Sequence, residues 1–250
     1  MRRCLLLLAS LACATRSPMP AQDPSLARAV VDAPDRSERD RQMDSHRKPV
    51  EMLIFFAPQP GQRVGEIGAG GGYSTELFAR AVGPSGKVFA RDTPNWDGPG
   101  LQRAWQVRLA TPALANTTHA MIQWDEPFPP EANGLDAVYS VAVYHDAIAE
   151  KGDTAKMNAA VFAALKPGGI YAVIDNSAKD GTFGGDADRL HRVDEALVRE
   201  EVQRAGFKLA GQADFLRSPA DTRDWSADPD KAPPDKVHTQ DRFALRFVKP

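Results

Sequence analysis

Predicted strands and helices alternate along this chain from residue 63 to residue 174. Apolar segments at 63–67, 87–91 and 135–143 are typical of strands, and the segment 74–82 carries an apolar face at helical spacing. This alternation predicts a mostly parallel sheet with helices on both faces. The remaining predicted strands are 117–123, 170–174, 207–215 and 243–248, and the remaining predicted helices are 50–57, 101–110, 155–165 and 190–205.

Charge and cysteine content exclude several classes of function. The 250 residues carry a formal net charge of −2, so the chain lacks the basic excess that nucleic-acid binders use, and no nucleic-acid partner is expected. The two cysteines, Cys4 and Cys13, both precede the predicted domain. That domain therefore has no disulfide, no cysteine-bound zinc and no thiol nucleophile.

The N-terminal segment has the pattern of a secretion signal. Two basic residues precede an apolar run, and Ala12–Ala14 offers an A-x-A cleavage site. The run is shorter than the ~20 residues of a membrane-spanning helix. We expect residues 1–14 to be a signal peptide and the protein to be periplasmic or secreted. Two alternatives are a lipid anchor on Cys13 and a later start at Met19 or Met43, which would leave the protein in the cytoplasm.

Two further segments lie between the predicted signal and the first strand. Residues 15–34 are rich in Pro and Ala, which predicts a linker. Residues 35–48 carry charges of alternating sign and almost no apolar residue, which predicts an exposed helix or an arm over the domain. The domain is expected to span residues 35–250.

A glycine-rich turn follows the first predicted strand. Gly68, Gly70 and Gly72 let the backbone bend sharply and approach a ligand closely. The nicotinamide fingerprint G-x-G-x-x-G fails, because its last glycine would fall at Tyr73. The pattern present is acid-x-G-x-G-x-G, with Glu66 as the acid. A carboxylate at this place suits a ligand with hydroxyl or cationic groups better than a pyrophosphate.

The turn and its surroundings resemble the class I S-adenosylmethionine-dependent methyltransferases. Residues 66–72 look like the first motif of that family, residues 134–138 like its fourth, and residues 165–169 like the segment before its fifth strand. The resemblance implies a three-layer, Rossmann-like α/β fold with seven strands, here with an N-terminal helical arm. It also implies S-adenosyl-L-methionine as the cofactor.

The same resemblance implies roles for individual residues around the cofactor. Glu66 would bind the cofactor, the alternative being that it only caps the turn, and Gly68, Gly70 and Gly72 would form the turn that receives the cofactor. Asp92, which ends the second strand, would bind the ribose hydroxyls, and Asp125, after the third strand, would contact the adenine. Tyr73 would place an aromatic ring near the sulfonium, where a cation gains attraction to the ring.

A narrower resemblance extends over nearly the whole chain, to a bacterial family of predicted, often exported methyltransferases. It rests on residues 46–47, 66–73, 144–146, 190–192 and 241–243. This family is expected to have His after Asp175, whereas this chain has Asn176.

The candidate catalytic residues are His145, Asp146 and His191. His145 and Asp146 follow the fourth strand, and open α/β sheets bind ligands at that edge. A neutral imidazole can take a proton from an oxygen or nitrogen acceptor, and Asp146 or His191 would orient the imidazole or bind the acceptor. His191 is equally a candidate for a structural role. The other histidines show no metal-ligand spacing, so no metal is expected.

The predicted function is methyl transfer from S-adenosylmethionine to an unidentified small-molecule acceptor. One alternative is an exported, non-catalytic binding protein that retains the fold. A nicotinamide-dependent oxidoreductase is disfavoured by Tyr73.

Overall fold

The computed structural model describes residues 22–250, and the signal peptide and lipid-anchor site predicted at the N-terminus lie outside the described residues. The helices are α1 Pro24–Val31, α2 Glu38–Arg47, α3 Pro49–Phe56, α4 Tyr73–Val82, α5 Pro99–Leu109, α6 Tyr144–Ala149, α7 Thr154–Ala164, α8 Ala187–Leu190 and α9 Glu195–Arg204. The strands are β1 Arg63–Ile67, β2 Lys87–Asp92, β3 Thr117–Met121, β4 Leu135–Val141, β5 Leu165–Asn176, β6 Lys208–Ala213 and β7 Arg242–Val248. Within residues 22–250 no helix is long and apolar enough to cross a membrane.

The strands form one sheet in the order β3-β2-β1-β4-β5-β7-β6. The strands β1 to β5 pair in parallel, whereas β7 is antiparallel to both β5 and β6. The strand order reverses between β1 and β4, and an open α/β sheet leaves a crevice at the carboxyl ends of its strands at such a point. The predicted seven-stranded, mostly parallel sheet is confirmed.

Helices cover both faces of this sheet and make the fold three-layered. On one face the helices α1, α3 and α4 bury a core in which Phe56, Phe78 and Tyr139 stack with ring centroids 4.4–6.1 Å apart. On the other face α6, α7 and α9 bury a second core around Val161 and Val198. Each fully buried side chain of this size contributes about 1.5–3 kcal/mol, so the two cores hold the strand ends in fixed positions.

The predicted linker contains a helix. Asp23 caps α1 by accepting a hydrogen bond from the Ser25 backbone at 2.8 Å, and Pro24 occupies the first turn, where its missing N–H costs nothing. Ala27 and Val30 are buried against the first core. The expectation of a loose linker is therefore wrong for residues 24–31, because apolar residues at helical spacing bind them to the core.

The charged segment 35–48 forms the helix α2, but part of it is buried. Asp40 and Arg36 are only 2% and 5% exposed. Arg36 donates to both carboxylate oxygens of Asp44 at 2.8 Å, and Arg108 of α5 donates to Asp40 at 2.9 Å. Charge of alternating sign here reflects ion pairs within the fold. The expectation of an exposed helix is therefore wrong at these residues, and the contact of Asp40 with Arg108 agrees with the alternative, an arm over the domain.

The helix predicted at 190–205 is divided into α8 and α9. His191 has a left-handed backbone with φ of 50°, which ends α8. Asp194 then caps α9 by accepting a hydrogen bond from the Ala196 backbone at 2.8 Å. The break turns His191 toward the carboxyl edge of the sheet.

The short helix α6 was not predicted from the sequence.

Candidate functional site

The glycine-rich turn lies between β1 and α4 at the carboxyl edge of the sheet. All three predicted glycines have positive φ, between 52° and 76°. A Cβ on Gly68 would lie 2.7 Å from the side chain of Val143, so this position also requires the absence of a side chain. A Cβ on Gly70 or Gly71 would meet no atom within 4 Å. The middle of the turn therefore leaves room for a ligand to approach the backbone.

Glu66 lies at the end of β1 and is fully buried. Ser74 and Thr75, in the first turn of α4, donate their hydroxyls to its two carboxylate oxygens. Burial raises the pKa of Glu66 to about 7 against the opposing effect of these hydrogen bonds. Both oxygens are engaged within the fold, so Glu66 positions α4 and the turn relative to β1.

Asp92 ends β2 beside the turn, as predicted. Its Oδ1 accepts a hydrogen bond from the Gly70 backbone at 2.8 Å. Trp105 Nε1 donates to Oδ2 at 3.2 Å, and His119 Nε2 lies 2.8 Å from the same oxygen. The two rings stack with centroids 4.0 Å apart. Asp92 is thus positioned by two residues that the sequence analysis did not identify.

Asp125 occupies a turn after β3 and is partly buried. It makes no hydrogen bond to another residue in the range 22–250. The neighbouring Trp124 is buried and donates its Nε1 to Glu150 at 2.8 Å. The structure therefore leaves the Asp125 carboxylate available at the β3 end of the edge.

A cavity of about 310 Å³ opens beyond the turn, at the ends of β4 and β5. Its lining includes Arg47, Tyr73, His145, Asn176, His191 and Arg242. These residues come from α2, α4, α6, β5, the α8–α9 connection and β7. The cavity is thus lined by segments that are far apart in sequence, whereas the neighbouring glycine turn is formed by consecutive residues.

His145 is 4% exposed and its ring is fixed by Asp175 at the end of β5. The ring Nδ1 lies 2.7 Å from Asp175 Oδ1, and the His145 backbone donates to Oδ2 at 3.0 Å. Burial lowers the pKa of His145, but the charge and hydrogen bond of Asp175 outweigh it, so the pKa lies above its ordinary value. With Nδ1 protonated toward Asp175, the lone pair of the neutral ring is on Nε2.

Asp146 and His191 lie close to that second ring nitrogen. Asp146 Oδ1 is 3.4 Å from His145 Nε2 and 3.7 Å from His191 Nδ1. Burial raises the pKa of Asp146 to about 6. The structure brings the three predicted catalytic residues together, and their donor atoms lie within 4.8 Å of one another, close enough to share a metal ion. Asp175, however, and not Asp146 or His191, orients His145.

Asn176 stands where the resembling bacterial family is expected to have His. Its side-chain amide donates to the His191 carbonyl oxygen at 2.9 Å. Its own side-chain oxygen is buried and has no hydrogen-bond partner among the described residues. Asn176 therefore supports the backbone that carries His191, and it contributes one free acceptor atom near the cavity.

Curated proteins that share sequence with the chain are methyltransferases. A stretch of 161 residues is 27% identical to the ubiquinone/menaquinone biosynthesis C-methyltransferase of Vibrio campbellii, covering 64% of this chain and 56% of that protein. A stretch of 39 residues is 49% identical to the protein-L-isoaspartate O-methyltransferase of Aeropyrum pernix, covering 16% of this chain and 15% of that protein. The match thus spans about half the length of the Vibrio campbellii protein and a smaller part of the Aeropyrum pernix protein. No protein-family model matches the chain.

Solved structures with the same architecture cover nearly the whole chain. A SAM-dependent methyltransferase from Aquifex aeolicus superposes with a TM-score of 0.57 at 18% identity, covering 91% of this chain and 99% of that one. The fold is that of the class I S-adenosylmethionine-dependent methyltransferases. An arsenic(III) S-adenosylmethionine methyltransferase from Chlamydomonas reinhardtii has a TM-score of 0.57 at 15% identity, covering 92% of this chain and 74% of that one.

In this methyltransferase fold, Tyr73 joins the turn to the cavity. It begins α4, and its hydroxyl donates to Asp44 of α2 at 2.6 Å. The guanidinium of Arg47 lies 4.7 Å from the centre of its ring. Burial and the Asp44 carboxylate raise the pKa of Tyr73, so it stays protonated. The arm helix α2 is therefore attached to the methyltransferase core directly over the site.

Residues on both sides of the site were not predicted from the sequence. Trp105 and His119 surround Asp92. In the sequence, the only indication of this role was a polar ring nitrogen at a helix position and another at a strand position. Asp175 ends β5, and an acid at the carboxyl end of a strand could have been recognised as a partner for His145. Arg242 was noted only as part of a motif, because nothing local indicates that β7 brings it into the cavity.

Proposed function

We propose that the chain transfers a methyl group from S-adenosylmethionine to a small-molecule acceptor bound in the cavity. The observation that carries the proposal is the adjacency of two sites. A glycine turn with Asp92 beside it lies next to a cavity that contains the oriented imidazole of His145. The methyltransferase relatives and the fold support the same reaction.

The residues around the turn fit the cofactor. The space at Gly70 and Gly71 can receive its polar chain, and Asp92 offers a carboxylate for the ribose hydroxyls. Trp105 and His119 have to leave Asp92 Oδ2 when a hydroxyl takes their place. Asp125 is the candidate for the adenine. When bound, the cofactor supplies a methyl group already activated on a sulfonium, so the protein mainly has to align the acceptor.

His145 is the residue that we assign to the acceptor's proton. Its Nδ1–H donates to Asp175, which fixes the ring and leaves the Nε2 lone pair free to accept. Asp146 and His191 lie on the same side of the ring and would position the acceptor or stabilise the charged imidazole. A base in this arrangement is needed when the acceptor is an oxygen or nitrogen that must lose a proton.

The proposal is tested by calorimetric binding of S-adenosylhomocysteine to the purified protein. Replacing Asp92 by alanine removes a charge-assisted hydrogen bond worth ~1.5–3 kcal/mol, so affinity should fall about tenfold to a hundredfold. The matched control is Asp214→Ala, because the Asp214 side chain is 80% exposed and follows β6 at the other end of the sheet. Absence of binding to the unmodified protein would overturn the proposed cofactor.

The second candidate is a binding protein that retains the fold and does not transfer a methyl group. Asn176 favours it, because the resembling family is expected to have His at this place. Asn176→His then distinguishes the two. A variant that gains turnover absent from the unmodified protein supports the second candidate, whereas turnover by the unmodified protein excludes it.

We also propose that the protein is exported to the periplasm or beyond, as in the resembling family. Residues 1–14 support this through their basic start, apolar run and A-x-A site. Mass spectrometry of the native N-terminus should find a chain that begins after residue 14, or a lipid on Cys13. An intact Met1 or a start at Met19 would contradict export.

A further inference from the structure

Two arginines in the lining of the cavity have no carboxylate partner within ion-pair distance. Arg47 is the last residue of α2, and Arg242 is the first residue of β7. Neither makes an ion pair within 4.0 Å with any residue in the range 22–250. By contrast, the buried guanidiniums of Arg36 and Arg192 each contact an aspartate at 2.8 Å. The chain therefore pairs some of its buried arginines with acids, but leaves these two facing a cavity.

Arg242 is 8% exposed, and its hydrogen-bonding groups are incompletely used. One terminal nitrogen donates to the His46 carbonyl oxygen, while the buried Nε has no partner among the described residues. Burial, together with the charge of Arg47, lowers the pKa of Arg242 to about 10. The charges of Asp175 and Asp241 oppose this lowering without outweighing it. Two like charges therefore lie near each other in a poorly solvated place, which costs free energy that a bound anion would offset.

The other polar residues that line this part of the cavity are mainly neutral donors rather than acids. His46 and His238 stack in this part of the lining with ring centroids 3.8 Å apart. Burial, the neighbouring ring and Arg47 lower the pKa of His46 to about 4. Among the residues of the range 22–250 that line this cavity, Asp228 is the one with a carboxylate. It lies 3.6 Å from His191 and 3.4 Å from Lys231.

We infer that Arg47 and Arg242 form a subsite for an oxyanion, a carboxylate or phosphate group carried by the methyl acceptor. A guanidinium presents a planar fork of N–H donors that matches such groups, and two forks suit a doubly coordinated anion. The assignment to the acceptor rests on the proposed function, whereas anion binding itself does not. His145 and Asn176 line the same cavity. An acceptor held by its anion would therefore present its other end to His145.

The direct test uses inorganic phosphate as the probe, with chloride at equal ionic strength as the reference. Phosphate should raise the Tm of the unmodified protein, because a ligand that binds the folded state stabilises it. Arg242→Met and Arg47→Met should each abolish that rise. The matched control is Arg246→Met, on the same strand: Arg246 donates to the Phe55 carbonyl oxygen at 2.9 Å and lines a different pocket. Its variant should keep the phosphate effect.

The Tm values measured without phosphate show whether Arg242 contributes to the stability of the unliganded protein. Without phosphate, Arg242→Met should melt at the same temperature or about 2–4 °C higher, because it removes a buried charge that makes no ion pair within 4.0 Å. A phosphate effect no larger than that of chloride, or one lost equally in Arg246→Met, would overturn the anion subsite.

Calorimetry with two nucleosides then identifies the source of the anion. S-adenosylhomocysteine carries a carboxylate, and 5′-methylthioadenosine lacks it. Phosphate that still binds to protein saturated with S-adenosylhomocysteine supports an acceptor subsite. Phosphate displaced by S-adenosylhomocysteine but not by 5′-methylthioadenosine assigns the arginines to the cofactor and overturns the acceptor assignment. Phosphate binding in a protein that binds neither nucleoside contradicts the proposed function and leaves the anion subsite intact.

Discussion

The glycine turn and the cavity beside it differ in how their polar groups are satisfied. At the turn, Glu66 receives two hydroxyls and Asp92 receives three N–H donors, all from within the fold. In the cavity, Arg47 and Arg242 both lie in the lining, and neither makes an ion pair within residues 22–250. The polar groups of the turn are therefore paired before any ligand arrives, whereas the two cavity arginines are left without a carboxylate partner. Groups that a fold leaves unsatisfied in a buried place are better indicators of the ligand than groups that it has already paired.

The largest expected effect concerns the cavity. Replacing His145 by alanine should slow turnover by roughly 10²–10⁴, the usual contribution of general acid–base catalysis, while S-adenosylhomocysteine affinity stays nearly unchanged. Asp175→Asn should slow turnover in the same direction, because an amide no longer fixes the ring with Nδ1 protonated. Turnover would be measured with the acceptor found among anionic small molecules.

The control for these variants is His119→Ala, which lies on the turn side of the site. It removes one partner of Asp92, so it should change cofactor affinity more than turnover at saturating cofactor. Normal turnover of His145→Ala would remove the proton-acceptor role. Turnover that appears only when zinc is added would also contradict it and would assign His145, Asp146 and His191 to a metal instead.

The two regions also differ in how far they could be predicted from the sequence. The turn and Asp92 follow from local patterns, because a glycine turn after a strand has few possible geometries. The Asp175–His145 pair joins residues 30 positions apart, and Arg242 reaches the backbone of His46 across 196 positions. Such contacts depend on which strand lies at which place in the sheet. The antiparallel insertion of β7 beside β5 decides that, and no short pattern reveals it.

The next effect is at the turn and depends on pH. The pKa of Glu66 is raised to about 7 in the folded protein from its ordinary value of 4.5, so folding favours its protonated form. Stability is therefore lost as the pH rises from 4.5 through 7, by roughly 3 kcal/mol for a shift of this size. Glu66→Gln cannot ionise. The difference in unfolding free energy between variant and unmodified protein should move by that amount in favour of the variant.

Urea unfolding at pH 5 and pH 8 measures this difference, and taking the variant against the unmodified protein removes the contributions of all other titrating groups. Parallel stability curves for the two proteins would mean that Glu66 is ionised throughout. The turn would then hold a buried charge, and the contrast with the cavity would disappear.

The smallest expected effect tests Tyr73, which belongs to both regions. Tyr73→Phe removes the hydroxyl that donates to Asp44, although Asp44 keeps both hydrogen bonds from Arg36. The loss in urea unfolding should be about 1 kcal/mol, because the remaining ion pair keeps the carboxylate satisfied. Tyr171→Phe is the matched control, since the Tyr171 hydroxyl is buried without a partner among residues 22–250. Its removal should be neutral or stabilising. If Tyr73→Phe is equally neutral, the hydroxyl contact with α2 contributes nothing to stability, and the arm helix is held over the turn by its other contacts, among them the Asp40–Arg108 ion pair with α5.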